Sequence, residues 1–183
     1  MENQDGIMKT ERAFIGVDLV RDFINGKFGS ENSIKVAEGS LEFLRRINSK
    51  EMIILTLDSH MENDPEFAIW GEHCLRGTEG AELYPGFDSL CAYHIHKRYY
   101  DAFYQSDLEG FLNARGVLEL FIFGISTDIC VLHTVAGAFF RYFKINVIED
   151  LCASIRKEDH NRAMEQMKRL YGITVVNSWN LVN

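Results

Sequence analysis

The chain has 183 residues, 46% of them hydrophobic, and a formal net charge of −8 from 27 acidic against 19 basic side chains. That is the size of one domain with a sizeable core, so a single domain over residues 1–183 is expected, and nothing in the composition marks a linker. The acidic balance without any basic block argues against a nucleic-acid partner, and no apolar run approaches a membrane span.

The N-terminus, Met1 to Glu11, is polar and lacks an apolar signal core. A flexible tail over residues 1–11 of a soluble, cytoplasmic protein is the expectation. Ala13 to Leu19 is an apolar run of strand length that ends in a carboxylate, Asp18, and a polar, glycine-containing stretch follows from Arg21 to Ser30. Ser33 to Lys50 carries Ile34, Ala37, Leu41, Leu44 and Ile47 as a helical stripe. Met52 to Leu57 is a second buried-type strand, again closed by polar groups, Asp58-Ser59-His60.

From Met61 to Leu90 the periodicity is weak and turn residues recur, yet aromatic and polar groups are dense. A loop this long in a compact domain is a functional or a disordered segment, and the aromatic content argues against disorder. Cys91 to His96 reads as a third strand with Lys97 at its end, and Asp107 to Arg115 as a short helix. Val117 to Gly124 is a fourth strand and Asp128 to Phe143 the helix after it. Lys144 to Glu149, Glu158 to Tyr171 and Ile173 to Val176 complete a strand, a helix and a strand. Alternation of helices with continuously apolar strands predicts a three-layer α/β/α, Rossmann-like fold around a mainly parallel six-stranded sheet. In such sheets the site lies at the carboxyl ends of the strands, here Asp18, Asp58, His60, Lys97 and the turn from Ser126 to Cys130.

Cysteines at 74, 91, 130 and 152 show no close pairing, which points to four thiols in a reducing compartment. Cys130 falls in the first turn of a helix that follows a strand and a sharp turn. Unpaired N–H groups and the helix dipole there favour a thiolate, and the same turn offers donors to an oxyanion. The alternative is a buried, space-filling cysteine. Lys97 is either a surface lysine or the cation beside that thiolate, and Asp18 either a turn cap or the group that takes the thiol proton and returns it to a leaving amine. Asp58 and His60, one residue apart in extended chain, point the same way. With His73 they form a set suited to zinc, iron or manganese, or are ordinary polar loop residues. His94 and His96 share the strand face opposite Lys97, and His133 lies one turn beyond Cys130; all three are weaker candidates.

Five stretches in order resemble the isochorismatase-like cysteine hydrolases, most closely the nicotinamidase branch. They are Val17-Asp18-Leu19-Val20-Arg21-Asp22-Phe23, Asp58-Ser59-His60, the run from Trp70 to Thr78, Lys97, and Ser126-Thr127-Asp128-Ile129-Cys130-Val131. The resemblance covers about Ala13 to Ile173. It implies a triad of Cys130, Asp18 and Lys97, and a divalent metal held by Asp58, His60 and His73 with no organic cofactor. It also implies a cis peptide bond at Ile125–Ser126 that aims the N–H groups of Ser126 and Cys130 at an oxyanion. Phe23 and Trp70 become apolar walls for a small amide substrate, and a homo-oligomer is expected. There are two departures from the pattern. Many nicotinamidases have a further ligand histidine where this chain reads Met61-Glu62-Asn63-Asp64-Pro65-Glu66-Phe67, which leaves Glu66, or failing that Asp64, in the equivalent place. Ser126 stands where alanine is common.

The activity expected is hydrolysis of nicotinamide to nicotinate and ammonia, with a role in NAD metabolism. A ureide or carbamoyl amidase without functional metal and a non-catalytic thiol- or metal-binding module are the rivals. Isochorismate hydrolysis is set aside, because the resemblance places a nucleophilic cysteine where that activity does not use one.

Overall fold

The computed structural model describes residues 11–48 and 50–182. The expected tail therefore lies, through residue 10, outside the described residues. Glu11 itself is anchored, its carbonyl accepting from the N–H groups of Leu118 and Glu119 at 2.8 and 2.9 Å. Among the described residues no helix is long and apolar enough to cross a membrane.

Six strands form one all-parallel sheet: β1 (Arg12–Val17), β2 (Met52–Asp58), β3 (Tyr93–Lys97), β4 (Glu119–Ile125), β5 (Lys144–Ala153) and β6 (Thr174–Val176), ordered β3-β2-β1-β4-β5-β6. In β1, β2 and β4 every residue after the first is buried, which explains their uninterrupted apolar runs. The order reverses between β1 and β4, so a crevice opens beyond the carboxyl ends of those two strands. Asp18 follows β1 there, and Ser126 follows β4.

The helices are α1 (Arg21–Ile24), α2 (Glu31–Ile47), α3 (Phe67–Trp70), α4 (Leu108–Ala114), α5 (Leu132–Phe139) and α6 (Lys157–Tyr171). Ser30 caps α2 by accepting from Ser33 N–H at 3.0 Å. The face made of Val36, Ala37, Ser40, Phe43, Leu44 and Ile47 is buried at helical spacing. Phe43 meets Phe14 of β1, which stacks on Phe121 of β4 with ring centroids 4.7 Å apart.

Three elements differ from their sequence reading. The stretch from Arg21 to Ser30 begins with the short helix α1, held by Arg21 N–H donating to Glu82 O in the distant loop, a contact that local sequence does not announce. The helix expected from Asp128 to Phe143 is a π-helical turn, Thr127–Val131, followed by α5. It stops at Phe139 because Tyr142 takes a left-handed φ of 64° and Phe143 N–H bonds back to Ala138 O. Strand β5 runs four residues beyond Glu149, since after a register shift Cys152 and Ala153 pair with Gly124 and Ile125 of β4; Asp150 accepts from both the N–H and the hydroxyl of Ser178 at 2.8 and 2.5 Å.

Gly124 is where β4 passes β1 most tightly. Its φ is +129°, and a Cβ there would sit 2.1 Å from Val17 O. Gly124→Ala should cost at least about 2 kcal/mol, from the clash and the left-handed backbone together, and lower Tm by roughly 4–8 °C in thermal unfolding followed by circular dichroism. An unchanged Tm would show that the strands can separate locally at no cost.

Candidate active site

Four strand ends deliver side chains to one buried point. Asp18 leaves β1 with a left-handed φ of 53°, its N–H donating to Thr56 O of β2, and Thr56 Oγ1 donates to Asp18 Oδ1 at 3.0 Å. From the end of β3, Lys97 Nζ reaches Asp18 Oδ2 at 2.7 Å and Asp58 Oδ1, at the end of β2, at 3.1 Å. The same ammonium lies 3.7 Å from Cys130 Sγ. Asp18, Lys97, Asp58 and Cys130 are all at most 5% exposed. The structure thus brings together the three residues of the expected triad.

Burial raises the Asp18 carboxyl to about 6; Lys97 opposes that shift and the neighbouring charge of Asp58 adds to it. Burial also acts on Asp58, but there Lys97 and His60 prevail and hold it at about 2. Lys97 stays firmly protonated, because the two carboxylates outweigh its desolvation. At Cys130 burial works against the thiolate that a helix start suggests: it pushes the thiol well above its ordinary value, with Asp18 and Asp58 acting in the same sense and Lys97 against. A carboxylate poised near neutral pH beside a neutral thiol is a proton acceptor waiting for its donor.

The turn that carries Cys130 begins with a cis peptide bond at Ile125–Ser126, the position the family resemblance implied. Val131 N–H donates to Ser126 O across five residues. The turn is tied down by Ser126 Oγ donating to Asp128 Oδ1 at 2.6 Å, Asp128 N–H donating to Ser154 Oγ at 3.3 Å, and Thr127 Oγ1 bonded to His160 Nδ1 at 2.9 Å.

Beside the thiol lies a second cluster. His60 extends β2 and pairs with the loop through His60 N–H to Cys74 O and Arg76 N–H to His60 O, both 2.9 Å, which sets His73 alongside it. One ligand atom each from Asp58, His60 and His73 falls within 4.8 Å of the others, and all three residues are buried. His60 Nε2 is 3.0 Å and His73 Nε2 3.7 Å from Asp58 Oδ2, while Glu66 Oε1 is 3.7 Å from His73 Nε2. His73 Nδ1 contacts Gly71 O at 2.8 Å, which holds the proton on Nδ1 and leaves the Nε2 lone pair facing the cluster. The buried His60 Nε2 has no hydrogen-bond partner. Two imidazole nitrogens and the Asp58 carboxylate converging, with Glu66 beside His73, fit a divalent cation. Asp64, the other acidic candidate, lies instead 3.2 Å from Nδ1, on the opposite side of the His60 ring.

One cavity joins the two clusters. Asp58, Glu66, His73 and Cys130 line it together with Phe23, Phe28, Trp70, Tyr100, Ile125 and Ile129, and no lysine or arginine is among the described residues that do so. Phe23 and Trp70 were expected there; Phe28, Tyr100 and Ile129 were not. The Tyr99-Tyr100 pair just after Lys97 was an available signal, as was Thr56, the one hydroxyl within an apolar strand. Tyr100 accepts from Trp70 Nε1 at 2.9 Å. The weaker histidines stay outside: His94 and His96 are exposed, and His133 bonds Ile129 O through Nδ1 at 2.8 Å.

A family profile for the isochorismatase domain matches residues 12–178. Among solved structures, the chain resembles N-carbamoylsarcosine amidase from Thermoplasma acidophilum, with 31% identity, 92% of this chain and 97% of the other covered, and a TM-score of 0.85. It is similar to nicotinamidase PncA from Bacillus subtilis, with 31% identity, coverage of 92% and 100%, and a TM-score of 0.84. It is likewise similar to the pyrazinamidase of Pyrococcus horikoshii in complex with zinc, with 32% identity, coverage of 92% and 99%, and a TM-score of 0.83.

Because Lys97 is the ammonium that both buried carboxylates contact, Lys97→Met should destabilise the fold by about 3–5 kcal/mol at pH 7. The loss should shrink at pH 5, where Asp18 with its pKa of about 6 is protonated in the folded state and needs no cation. Urea unfolding at the two pH values measures this, and equal losses at both would contradict the charge assignment.

Proposed function

The chain belongs to the isochorismatase family, and we propose that it is an amidase that hydrolyses nicotinamide, or a closely similar neutral aromatic amide, to the acid and ammonia. The observation that carries the reading is the single aromatic-walled cavity onto which both Cys130 and the Asp58 and His73 edge of the metal-type cluster open. Similarity to a nicotinamidase over nearly the whole chain supports it.

In this reading Asp18 takes the thiol proton as Cys130 Sγ attacks the amide carbon. Proton transfer and attack are coupled, because burial disfavours a standing thiolate. The N–H groups of Ser126 and Cys130 stabilise the oxyanion of the tetrahedral intermediate. Asp18 then delivers the proton to the departing amine, leaving a thioester on Cys130. Water, deprotonated by Asp18, cleaves the thioester and restores the thiol. Lys97 stays charged throughout, holding Asp18 in place through their 2.7 Å contact.

Asp58, His60, His73 and Glu66 would hold a divalent ion of zinc, iron or manganese type, a relative's complex with zinc being one precedent. Such an ion supplies a Lewis-acid anchor for a pyridine nitrogen, directly or through water. Phe23, Phe28 and Trp70 orient a flat ring between that anchor and the thiol.

The similarity to an N-carbamoylsarcosine amidase favours a second reading, a ureide substrate on the same thiol. That substrate carries a carboxylate, and the cavity lining offers no lysine or arginine while presenting Asp58 and Glu66. The lining therefore favours the neutral aromatic amide.

Ammonia release from nicotinamide, pyrazinamide and N-carbamoylsarcosine tests the choice. The kcat/KM for nicotinamide should exceed that for the ureide by at least ~10-fold, and the reverse order would replace the first reading by the second. Cys130→Ala should remove turnover, and Asp18→Asn should lower kcat by ~10²–10⁴-fold. A Cys130→Ala variant that still turns over would reject the thiol mechanism. Activity should fall on the acid side with a midpoint at or below about pH 6. Asp18 must be ionised to accept the proton, and a bound cation can only lower its pKa further. An acid limb well above that value would assign the titration to another group.

A further inference from the structure

Asp64 and Arg98 have no part in the chemistry described so far, yet they meet at the back of the metal-type cluster. Asp64 is 8% exposed and follows β2 by six residues; Arg98 follows Lys97 at the end of β3. Arg98 grips a single oxygen of Asp64, with Nε at 3.2 Å and Nη2 at 2.9 Å from Oδ2. That oxygen also lies 3.2 Å from His60 Nδ1, while the other, Oδ1, accepts from Glu66 N–H at 3.4 Å. One carboxylate thus touches two of the three candidate ligands that the loop after β2 contributes, the imidazole of His60 through one oxygen and the backbone of Glu66 through the other.

His60 is fully buried, and neither ring nitrogen has a well-formed hydrogen bond in the ligand-free arrangement. A buried imidazole with two unsatisfied nitrogens is costly. The two are relieved together if the proton sits on Nδ1, facing the Asp64 carboxylate, and Nε2 turns its lone pair to a cation. Arg98 supplies the fixed charge that keeps Asp64 an acceptor, and its two N–H groups on one oxygen set the direction from which that oxygen meets the ring.

We propose that Asp64, anchored by Arg98, is the positioning residue of the metal centre: it fixes His60 in its Nδ1–H form and steadies Glu66, so that affinity for a divalent ion depends on a carboxylate that does not touch the ion. This rests on the metal reading above. It gives Asp64 and Glu66, two positions apart, different partners in the cluster, His60 Nδ1 for the one and His73 Nε2 for the other. A polar group behind a ligating histidine is worth ~10–100-fold in metal affinity where it has been removed.

The test uses the full chain, stripped with chelator and titrated with zinc against a chromophoric chelator, alongside the cobalt(II) d–d spectrum and the ring ¹⁵N–¹H signals of His60. Asp64→Asn should weaken zinc ~10–100-fold, alter the cobalt spectrum and remove the Nδ1–H signal, while thermal unfolding shows the variant folded. Should that variant not fold, Arg98→Met, on a partly exposed side chain, should weaken zinc in the same direction, with Arg98→Lys restoring part of the loss. Zinc affinity within twofold of the unaltered chain in the folded Asp64→Asn variant, or in Arg98→Met where the former does not fold, overturns the inference and leaves the metal reading standing. An unaltered chain that binds no stoichiometric zinc, or a His60→Ala variant that binds it equally well, overturns the metal reading itself.

Discussion

A single ammonium buried among two carboxylates and a thiol is the constraint around which this molecule is arranged. Lys97 is within 3.1 Å of both Asp18 and Asp58 and 3.7 Å from Cys130. One positive charge cannot balance two buried carboxylates, so the cluster retains an extra proton or gains a cation. On the proton side, burial raises Asp18 to about 6 and pushes the Cys130 thiol up, each in the direction that sheds negative charge. A cation would find its place on the other side of Asp58, whose Oδ2 faces His60 and His73 while Oδ1 faces Lys97. Asp58 therefore belongs to both centres, and the electrostatics of the nucleophile and of the metal-type cluster are one problem.

The fold answers that problem by placing four strand ends at the point where the strand order reverses. Parallel strands must be covered on both faces, and that requirement wrote uninterrupted apolar runs into β1, β2 and β4. Those runs, and the carboxylates closing two of them, were legible without a structure. What was not legible depends on partners far away in the chain. Helix α1 is tied at its start by Arg21 N–H to Glu82 O, and β5 continues past Asp150 because Cys152 and Ala153 pair with Gly124 and Ile125 of β4. The π-helical turn at Thr127–Val131 carries the same apolar spacing as an ordinary helix start, so periodicity had no means of finding it.

The site was legible in unequal measure. Asp18, Asp58, His60 and Lys97 stand at strand ends, where a parallel sheet puts its chemistry, and Cys130 follows a strand–turn signal. The cis bond before Ser126 came only from resemblance to a family. The burial that acts against a thiolate was not legible, because a helix start and a lysine are local features whereas desolvation is a property of the whole fold. The placement of Asp64 and Glu66 needed coordinates as well. Two residues apart on one loop, Asp64 meets His60 Nδ1 and Arg98 while Glu66 faces His73, a difference that spacing does not show.

Aromatic walls and a lining without lysine or arginine among the described residues favour a small, neutral, flat amide. The central claim is that such an amide passes through a covalent bond to Cys130, and acid-quenched intact and peptide mass spectrometry during nicotinamide turnover tests it most directly. The account predicts the mass of one nicotinoyl group on the peptide that contains Cys130, absent in Cys130→Ala and lost once substrate is exhausted. Turnover that continues with no adduct there under single-turnover quench, or an adduct on Cys74, Cys91 or Cys152 instead, would contradict it.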